Sequence, residues 1–546
     1  MKDKSVFKWI YTNCGGRIKE GAVLVVLNAW SALCVTIFAL LSQRVMDSAQ
    51  NGDKEALIKN AFYLFLVIIS QILSRVTASL VEAVSQGKAE IHLRTSVFSS
   101  ILRGEYANYV EKHSGDLMTR LTADVQMVSD NYVHIFPAMI AFVVRILSGA
   151  VALYQIDKNF AVVFVFCGTL IALVAAFSRK HIKKLHRRVQ EKDSKVRSFM
   201  QEMIENMFAI KVFGIEEKII KISGRQQKKF YREKVKKRGF SIIAGISFSL
   251  AFAIGFLAAV AYGSYGVLNG TLTFGSVVAI VQLVNQLQSP VVGVTGVLPA
   301  FFAMTTSAQR LMEISGEKDD VTEDVYIDYE DFVSIKVRDV VFGYGEENVV
   351  SGASFTVNKG EFVGIKGPSG SGKSTVLKLI TGLYPVDDGK VTVETKDKEY
   401  DCKYTRKLFS FVPQGNMLFS GTVRENLTIL NPEATDEEIH NALTTVSGEF
   451  AYELEGGLDF VLGEDGTGIS EGQAQRLAIA RALLADSKIL LMDESTSALD
   501  AETEKKVIDN LRQMNDVTVI IITHKEAVLD RCDRLITVAN GKVEEN

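Results

Sequence analysis

At 546 residues, 47% of them apolar, and with a net charge of −3, the chain has room for several domains but no bulk positive charge to hold a nucleic acid. Five cysteines (Cys14, Cys34, Cys167, Cys402 and Cys532) stand without a C-x-x-C pair, which argues against a disulfide frame or zinc site and for unpaired, mostly buried thiols. The mean hydropathy of +0.16 conceals an uneven distribution, because the apolar residues are concentrated before residue 305.

Six stretches are each long enough to cross a hydrocarbon core of about 30 Å. They are "GAVLVVLNAWSALCVTIFALL" (21–41), a span within 57–81, one near 135–156, "FAVVFVFCGTLIALVAAF" (160–177), and spans over 241–262 and 275–300. The first is too long for the apolar core of a signal peptide, and no leader-processing domain is expected ahead of it. Spans one and two, three and four, and five and six are joined by short loops such as "DKN" (157–159). The other two connections are far longer and rich in helix formers, so they predict membrane helices continuing into water. Segment 179–197 holds nine Lys/Arg and 225–238 holds eight, whereas loop 263–273 holds none. The positive-inside rule then places both long connections and both termini in the cytoplasm. Arg145 in "FVVRILSG" lies deep in the third span, where a charge is costly and marks a candidate either for recognising an anionic or amphipathic cargo, or for pairing with a carboxylate or lining a dimer interface. Gln282, Asn285 and Gln286 share one face of the sixth span, to line a pathway or to bond between helices.

An acidic stretch, "EISGEKDDVTEDVYIDYED" (313–331), predicts a linker. Beyond it, "SIKVRDVVFGY", "EFVGIKG", "KLFSFVP", "KILLMDE" and "VTVIIITH" alternate with helical patterns, the mark of an α/β domain with a mostly parallel core sheet. The expected division is therefore a membrane domain over 1–312, a linker over 313–331 and an α/β domain over 332–546.

"GPSGSGKST" (367–375) follows an apolar strand and opens a helix, which is the setting a phosphate-binding loop requires. Gly367, Pro368, Ser369, Gly370, Ser371 and Gly372 let backbone N–H groups wrap a polyphosphate, Lys373 adds charge, Ser374 offers a hydroxyl to Mg²⁺, and Thr375 continues the helix. In "KILLMDES", Asp493 and Glu494 end an apolar strand, the end at which open α/β sheets bind ligands. Asp493 suits Mg²⁺ binding, and Glu494 suits deprotonation of an attacking water. His524, at the end of "VTVIIITH", is placed to reach a γ-phosphate. In "GISEGQAQRLAIARALL" (468–484), Ser470 and Gln473 have capping-box spacing, giving a helix N-terminus suited to an anion, with Glu471 set unexpectedly within it.

Taken together these residues resemble an ATP-binding-cassette (ABC) half-transporter of the exporter type, and the resemblance covers nearly the whole chain. It is carried by "GPSGSGKST", "FVPQ" ending in Gln414, the signature "ISEGQ" (469–473), "LLMDE", "SALD" (497–500) and His524. The fold implied is an all-α transmembrane domain of six helices with long cytoplasmic extensions, joined to an α/β P-loop domain with a helical subdomain. Several roles follow from the resemblance. Tyr344 stacks on adenine, and Gln414 senses the γ-phosphate and Mg²⁺. Asp500 lies in a loop crossing a dimer interface. Ser470, Gly472 and Gln473 face the γ-phosphate bound by a partner chain. "HSGDLMTRLTADV" (113–125) and "IENMFAIKVFGIEEK" (204–218) resemble the two cytoplasmic loops, with coupling helices near 105–115 and 210–216. A second half-transporter chain, ATP, Mg²⁺ and a bilayer are the implied partners, and the implied activity is ATP-driven export of a small molecule, lipid or peptide. An importer on the exporter fold and an ATP-gated channel are the alternatives. Glu471 departs from the family's usual glycine; it reads as tolerated variation, or as the mark of a weaker site in an asymmetric pair.

Overall fold

The computed structural model describes the chain except for residues 1, 111–113, 317–319, 321–324, 346, 416, 486, 515–516, 540 and 546. It describes only the backbone at residues 2–5, 18, 165, 167, 169–183, 186, 244, 248, 288–289, 291–292, 294–295, 298 and 465. Two compact units result, Met1–Phe98 with Leu117–Ile314, and Ser99–Asp116 with Ser315–Asn546.

After a short N-terminal helix (Lys2–Asn13), six long helices carry the six apolar stretches. They are α1 (Ile18–Gln50), α2 (Lys54–Arg103), α3 (Val125–Ile156), α4 (Lys158–Glu205), α5 (Glu216–Leu268) and α6 (Phe274–Ser315). At 1.5 Å per residue the 50 residues of α2 and the 53 of α5 outrun a bilayer about twofold, as expected of helices that continue into water. Among the described residues four helices, Lys19–Gln50, Lys54–Arg103, Ser114–Ile156 and Glu216–Leu268, are long and apolar enough to span, and Phe274–Leu287 adds a shorter apolar run. The side chains at the heart of the expected fourth span lie outside the described residues. The expected "DKN" loop contracts to one residue: Asp157 caps α4, its carboxylate accepting from the Phe160 N–H at 2.7 Å.

Small and apolar side chains (Ala39, Ala152, Leu153, Ala161, Ala259, Leu283) let five of these helices approach closely. Polar side chains then bridge them. Thr36 and Ser148 hydroxyls lie 2.8 Å apart, and Gln286 Nε2 donates to Thr36 Oγ1 at 2.7 Å. Gln286 is thus a buried interhelical link rather than an open pathway residue, whereas Asn285 is exposed. A short helix, Met207–Phe213, interrupts the second long connection and ends where Gly214 takes a left-handed conformation (φ 59°). It begins three residues before the expected 210–216. In the first connection the turn is Ala107–Val110, and residues 111–113 of the expected 105–115 lie outside the described residues.

In the second unit, β1 (Phe332–Gly343), β2 (Asn348–Asn358), β4 (Asp388–Thr395) and β5 (Glu399–Asp401) form an antiparallel sheet in the order β2-β1-β4-β5. The strand over "SIKVRDVVFGY" therefore belongs to this sheet and not to the parallel one. The main sheet orders β12 (Lys542–Glu545), β11 (Arg534–Ala539), β3 (Phe362–Lys366), β10 (Thr518–Ile522), β9 (Ile489–Asp493) and β6 (Phe409–Val412), with only the β11–β12 pair antiparallel, and β7 (Gly421–Thr422) pairs separately with β8 (Val461–Leu462). Both faces of this sheet are covered, which is why its strands read as continuous apolar runs. Leu490, Met492, Val519 and Ile521 point to a core shared with the helical subdomain, α8 (Val423–Thr428), α9 (Asp436–Thr445) and α10 (Glu471–Leu484). Ile489, Leu491, Ile520 and Ile522 point to the opposite core, shared with the antiparallel sheet and α7 (Lys373–Ile380). Each of the three subdomain helices starts with a capping box, Thr422/Glu425, Thr435/Glu438 and Ser470/Gln473. Cys14, Cys34, Cys402 and Cys532 are all free thiols; Cys167 lies outside the described side chains.

Candidate nucleotide site

Because β3, β10, β9 and β6 are neighbours and parallel, their carboxyl ends share one edge of the sheet. The motif residues end there in order. Loop 367–372 leaves β3, Gln414 follows β6 by two residues, Asp493 and Glu494 close β9, and His524 follows β10 by two residues.

The loop turns too tightly for side chains at two points. A Cβ on Gly367 would lie 2.0 Å from the Val538 carbonyl oxygen, and Gly372 has φ +100° with backbone and side-chain atoms of Val349 beside it. Between them run Pro368, Ser369, Gly370 (φ +77°) and Ser371. Lys373 is buried and folds back across the loop, Nζ donating to the carbonyls of Gly367 (3.0 Å) and Pro368 (2.9 Å). Ser371 Oγ is buried with no hydrogen-bond partner among the described residues, a polar atom held ready at the loop's inner wall. Ser374 Oγ donates to Asp493 Oδ1 at 2.9 Å. Asp493 is 3% exposed. Burial pushes its carboxyl above the ordinary range and the Glu494 carboxylate pushes the same way; the Ser374 hydrogen bond, Lys378 and Lys373 only partly offset this. A buried carboxylate in that condition, with a serine hydroxyl on it, is a donor set suited to a hard divalent cation.

Glu494 stands at φ +47°, with its N–H bonded to the Ile522 carbonyl at 3.1 Å. This uncommon conformation turns its carboxylate out of the strand and toward the site. Gln414 Nε2 donates to Glu494 Oε2 at 3.0 Å, and His524 Nε2 lies 3.3 Å from Oε1. The three residues read separately from sequence are therefore one cluster around the Glu494 carboxylate. Tyr344 lies at the other end of the loop, 46% exposed, its hydroxyl 3.4 Å from Thr375 Oγ1.

The signature residues form a second cluster. Ser470 Oγ accepts from the Gln473 N–H at 3.3 Å, and Gln473 Oε1 accepts from the Ser470 N–H at 2.9 Å. Gly472 has no room for a side chain: a Cβ would sit 2.9 Å from the Ala498 carbonyl oxygen. Asp500 caps α11 (Ala501–Gln513), Oδ2 accepting from the Thr503 N–H at 3.0 Å. Hydrogen bonds from Thr503 hold its carboxyl below the usual carboxylate range. Among the described residues nothing in this cluster bonds to loop 367–375. Two supporting residues escaped the sequence reading. Buried Gln475 joins α10 to the 497–500 loop, with Nε2 on Ser497 Oγ (3.1 Å) and Oε1 accepting from Ala498 N–H (3.0 Å). Lys525 donates to the carbonyls of Thr496 and Leu499. A polar side chain on the buried side of α10 is the signal for the first; for Lys525, nothing in the sequence distinguishes it from a surface lysine. Glu471 is exposed in the first turn of α10, where the helix N-terminus favours a carboxylate.

Two family models match the chain, that of the ABC transporter transmembrane region over residues 22–291 and that of the ABC transporter over 350–497. ABC transporter B family member 1 of Dictyostelium discoideum is 28% identical over 500 residues, 89% of this chain, which spans only 54% of that relative's length. The ATP-dependent lipid A-core flippase of Pasteurella multocida is 28% identical over 97% of this chain and 92% of its own. In fold, the chain is similar to a bacterial Atm1-family ABC exporter solved with ATP bound, with a TM-score of 0.82 at 21% identity, covering 97% of this chain and 96% of that one.

Proposed function

Because the chain belongs to the ABC transporter family, as a transmembrane region fused to one ATP-binding domain, we propose that it is one half of an ATP-driven exporter completed by a second such chain. The observation that carries this reading is the separation of the two clusters. Loop 367–375, Asp493, Glu494, Gln414 and His524 converge at one sheet edge, while Ser470, Gly472, Gln473 and Asp500 are held on α10 and α11 without a bond to it. A site that needs both is completed when the signature cluster of one chain faces the loop of the other. The helix Met207–Phe213 supports the same conclusion. It buries none of its residues in its own chain, and Phe208 and Phe213 are 83% and 70% exposed, an apolar surface suited to a partner's domain.

In this reading, residues through 312 act as the membrane domain, 313–331 as linker and 332–546 as the motor domain, with that domain and both termini in the cytoplasm. Tyr344 stacks on adenine, while Lys373 and the loop N–H groups hold the phosphates. Ser374, Gln414 and Asp493 would hold Mg²⁺, which supplies charge to the β- and γ-phosphate oxygens. Glu494 takes a proton from water as its oxygen attacks the γ-phosphorus and the bond to the ADP oxygen breaks; His524 and Gln414 keep that carboxylate aimed. Binding energy at two shared sites closes the dimer, and loss of the γ-phosphate reopens it, which reorients the spans. For the cargo, Arg145 lies within α3, the third span. A cation held that deep in a span is suited to an anionic amphiphile.

The test is the chain purified alone in lipid. ATP hydrolysis, a mass twice 60.1 kDa, and ATP-dependent movement of a fluorescent anionic lipid in inverted vesicles are expected. Arg145→Gln should slow that lipid while sparing basal hydrolysis. Movement of a zwitterionic probe alone would overturn the cargo assignment, and a chain that binds ATP but never pairs with any second chain would overturn the half-transporter reading.

A further inference from the structure

Tyr384 follows the end of α7 by four residues and is 5% exposed. Three aromatic rings meet it at steep angles. Phe342 lies at 5.4 Å and 62°, Tyr344 at 5.5 Å and 90°, and Tyr106 at 5.7 Å and 79°. Tyr344 and Phe342 also meet, at 5.0 Å and 86°. Tyr106 lies between α2 and α3, within the stretch Ser99–Asp116 that folds in the second unit, and its neighbour Ala107 packs on the core under the antiparallel sheet. One continuous set of edge contacts therefore runs from a residue of the transmembrane polypeptide to the tyrosine beside the phosphate loop.

Such contacts depend on orientation, because each ring offers a positive edge to a negative face. Tyr344 cannot turn to lie flat against a base without changing its edge contact with Tyr384. In a close-packed core Tyr384 cannot yield without moving against Tyr106. Burial, with Tyr344 and Tyr106 alongside, pushes the Tyr384 phenol up, so the ring stays neutral and a donor.

We propose that Tyr384 is a positioning residue that links stacking of adenine on Tyr344 to the seating of the 99–116 loop through Tyr106. The inference rests on the reading that Tyr344 stacks on adenine, and the experiment separates the two.

The full chain in lipid, carrying Glu494→Gln to stop turnover, is titrated calorimetrically with Mg·ATP and with Mg·tripolyphosphate, which has the phosphates but no base. Tyr384→Ala and Tyr106→Ala should each weaken ATP binding about threefold to tenfold, the scale of one edge-to-face aromatic contact, and leave tripolyphosphate binding within about twofold. Tyr384→Phe, which keeps the ring, should remain within about twofold of the parent for both. An unchanged ATP affinity in Tyr106→Ala overturns the link, as does an equal loss for both ligands, which would mark a general packing role. Tyr344→Ala is the discriminating control. If it alone weakens ATP binding, the link fails and stacking stands; if it too has no effect, both fall.

Discussion

Replacing Glu494 by Gln removes a base while keeping a shape. In the native site the carboxylate accepts from Gln414 Nε2 at 3.0 Å and lies 3.3 Å from His524 Nε2. A glutamine at the same φ of +47° still offers an oxygen to Gln414 and introduces no new backbone strain. What disappears is the capacity to take a proton from the attacking water. General-base catalysis of this kind contributes about 10²–10⁴-fold, or about 3–6 kcal/mol of barrier at about 1.4 kcal/mol per decade. Turnover should fall by that factor, with ATP affinity within about threefold of native, because the interaction lost exists only in the transition state. Phosphate release in a single-turnover experiment, paired with a binding titration on the same lipid-embedded protein, measures both. Retention of more than about a tenth of native turnover would refute Glu494 as the base and would move that role to another group in the site.

The other predictions concern the walls of the same site. Gly367→Ala places a Cβ 2.0 Å from the Val538 oxygen, so it should destabilise the second unit by about 1–3 kcal/mol or more and abolish ATP binding, read by denaturant melts and calorimetry. Asp493→Asn should raise the melting temperature at neutral pH without nucleotide, yet lose the stabilisation that Mg·ATP confers on the native chain. The sign follows from the raised carboxyl of Asp493: its folded-state stabilisation is complete below the unfolded pKa and is lost as pH rises through the folded one. A lower melting temperature for Asp493→Asn would contradict that assignment. Glu471→Gly should change steady-state hydrolysis by less than about threefold, since this exposed carboxylate already sits favourably on its helix terminus. A tenfold rise would instead identify Glu471 as a brake on the shared site.

Much of the motor domain was legible locally. A phosphate loop, a capping box and an apolar strand ending in two carboxylates are short-range patterns, and each is dictated by backbone geometry within a few residues. The capping box of Ser470 and Gln473 formed as its spacing requires, and the apolar strands are buried on both faces because helices cover one side and a second sheet the other. The long helices of the first unit were legible for a similar reason, since a bilayer demands long apolar helices whatever they pack against. Less visible were features set by partners distant in sequence. "SIKVRDVVFGY" had the pattern of a strand, but its membership of an antiparallel sheet depends on pairing with β2 and β4. Gln286 had a polar residue's ambiguity in a membrane until Thr36, 250 positions away, proved to be its acceptor.

By itself, then, the order of residues determined the membrane helices, the phosphate loop, the helix caps and which carboxylates end on strands, because those follow from nearest-neighbour sterics, periodicity and the solvent each segment must face. Only the tertiary structure decided that Gln414, Glu494 and His524 form one cluster, that Gly472 is required by the Ala498 carbonyl, and that Tyr106, Tyr384 and Tyr344 touch. Those contacts join residues tens to hundreds of positions apart, and their distances arise only when parallel strands set their ends side by side and the core closes around them.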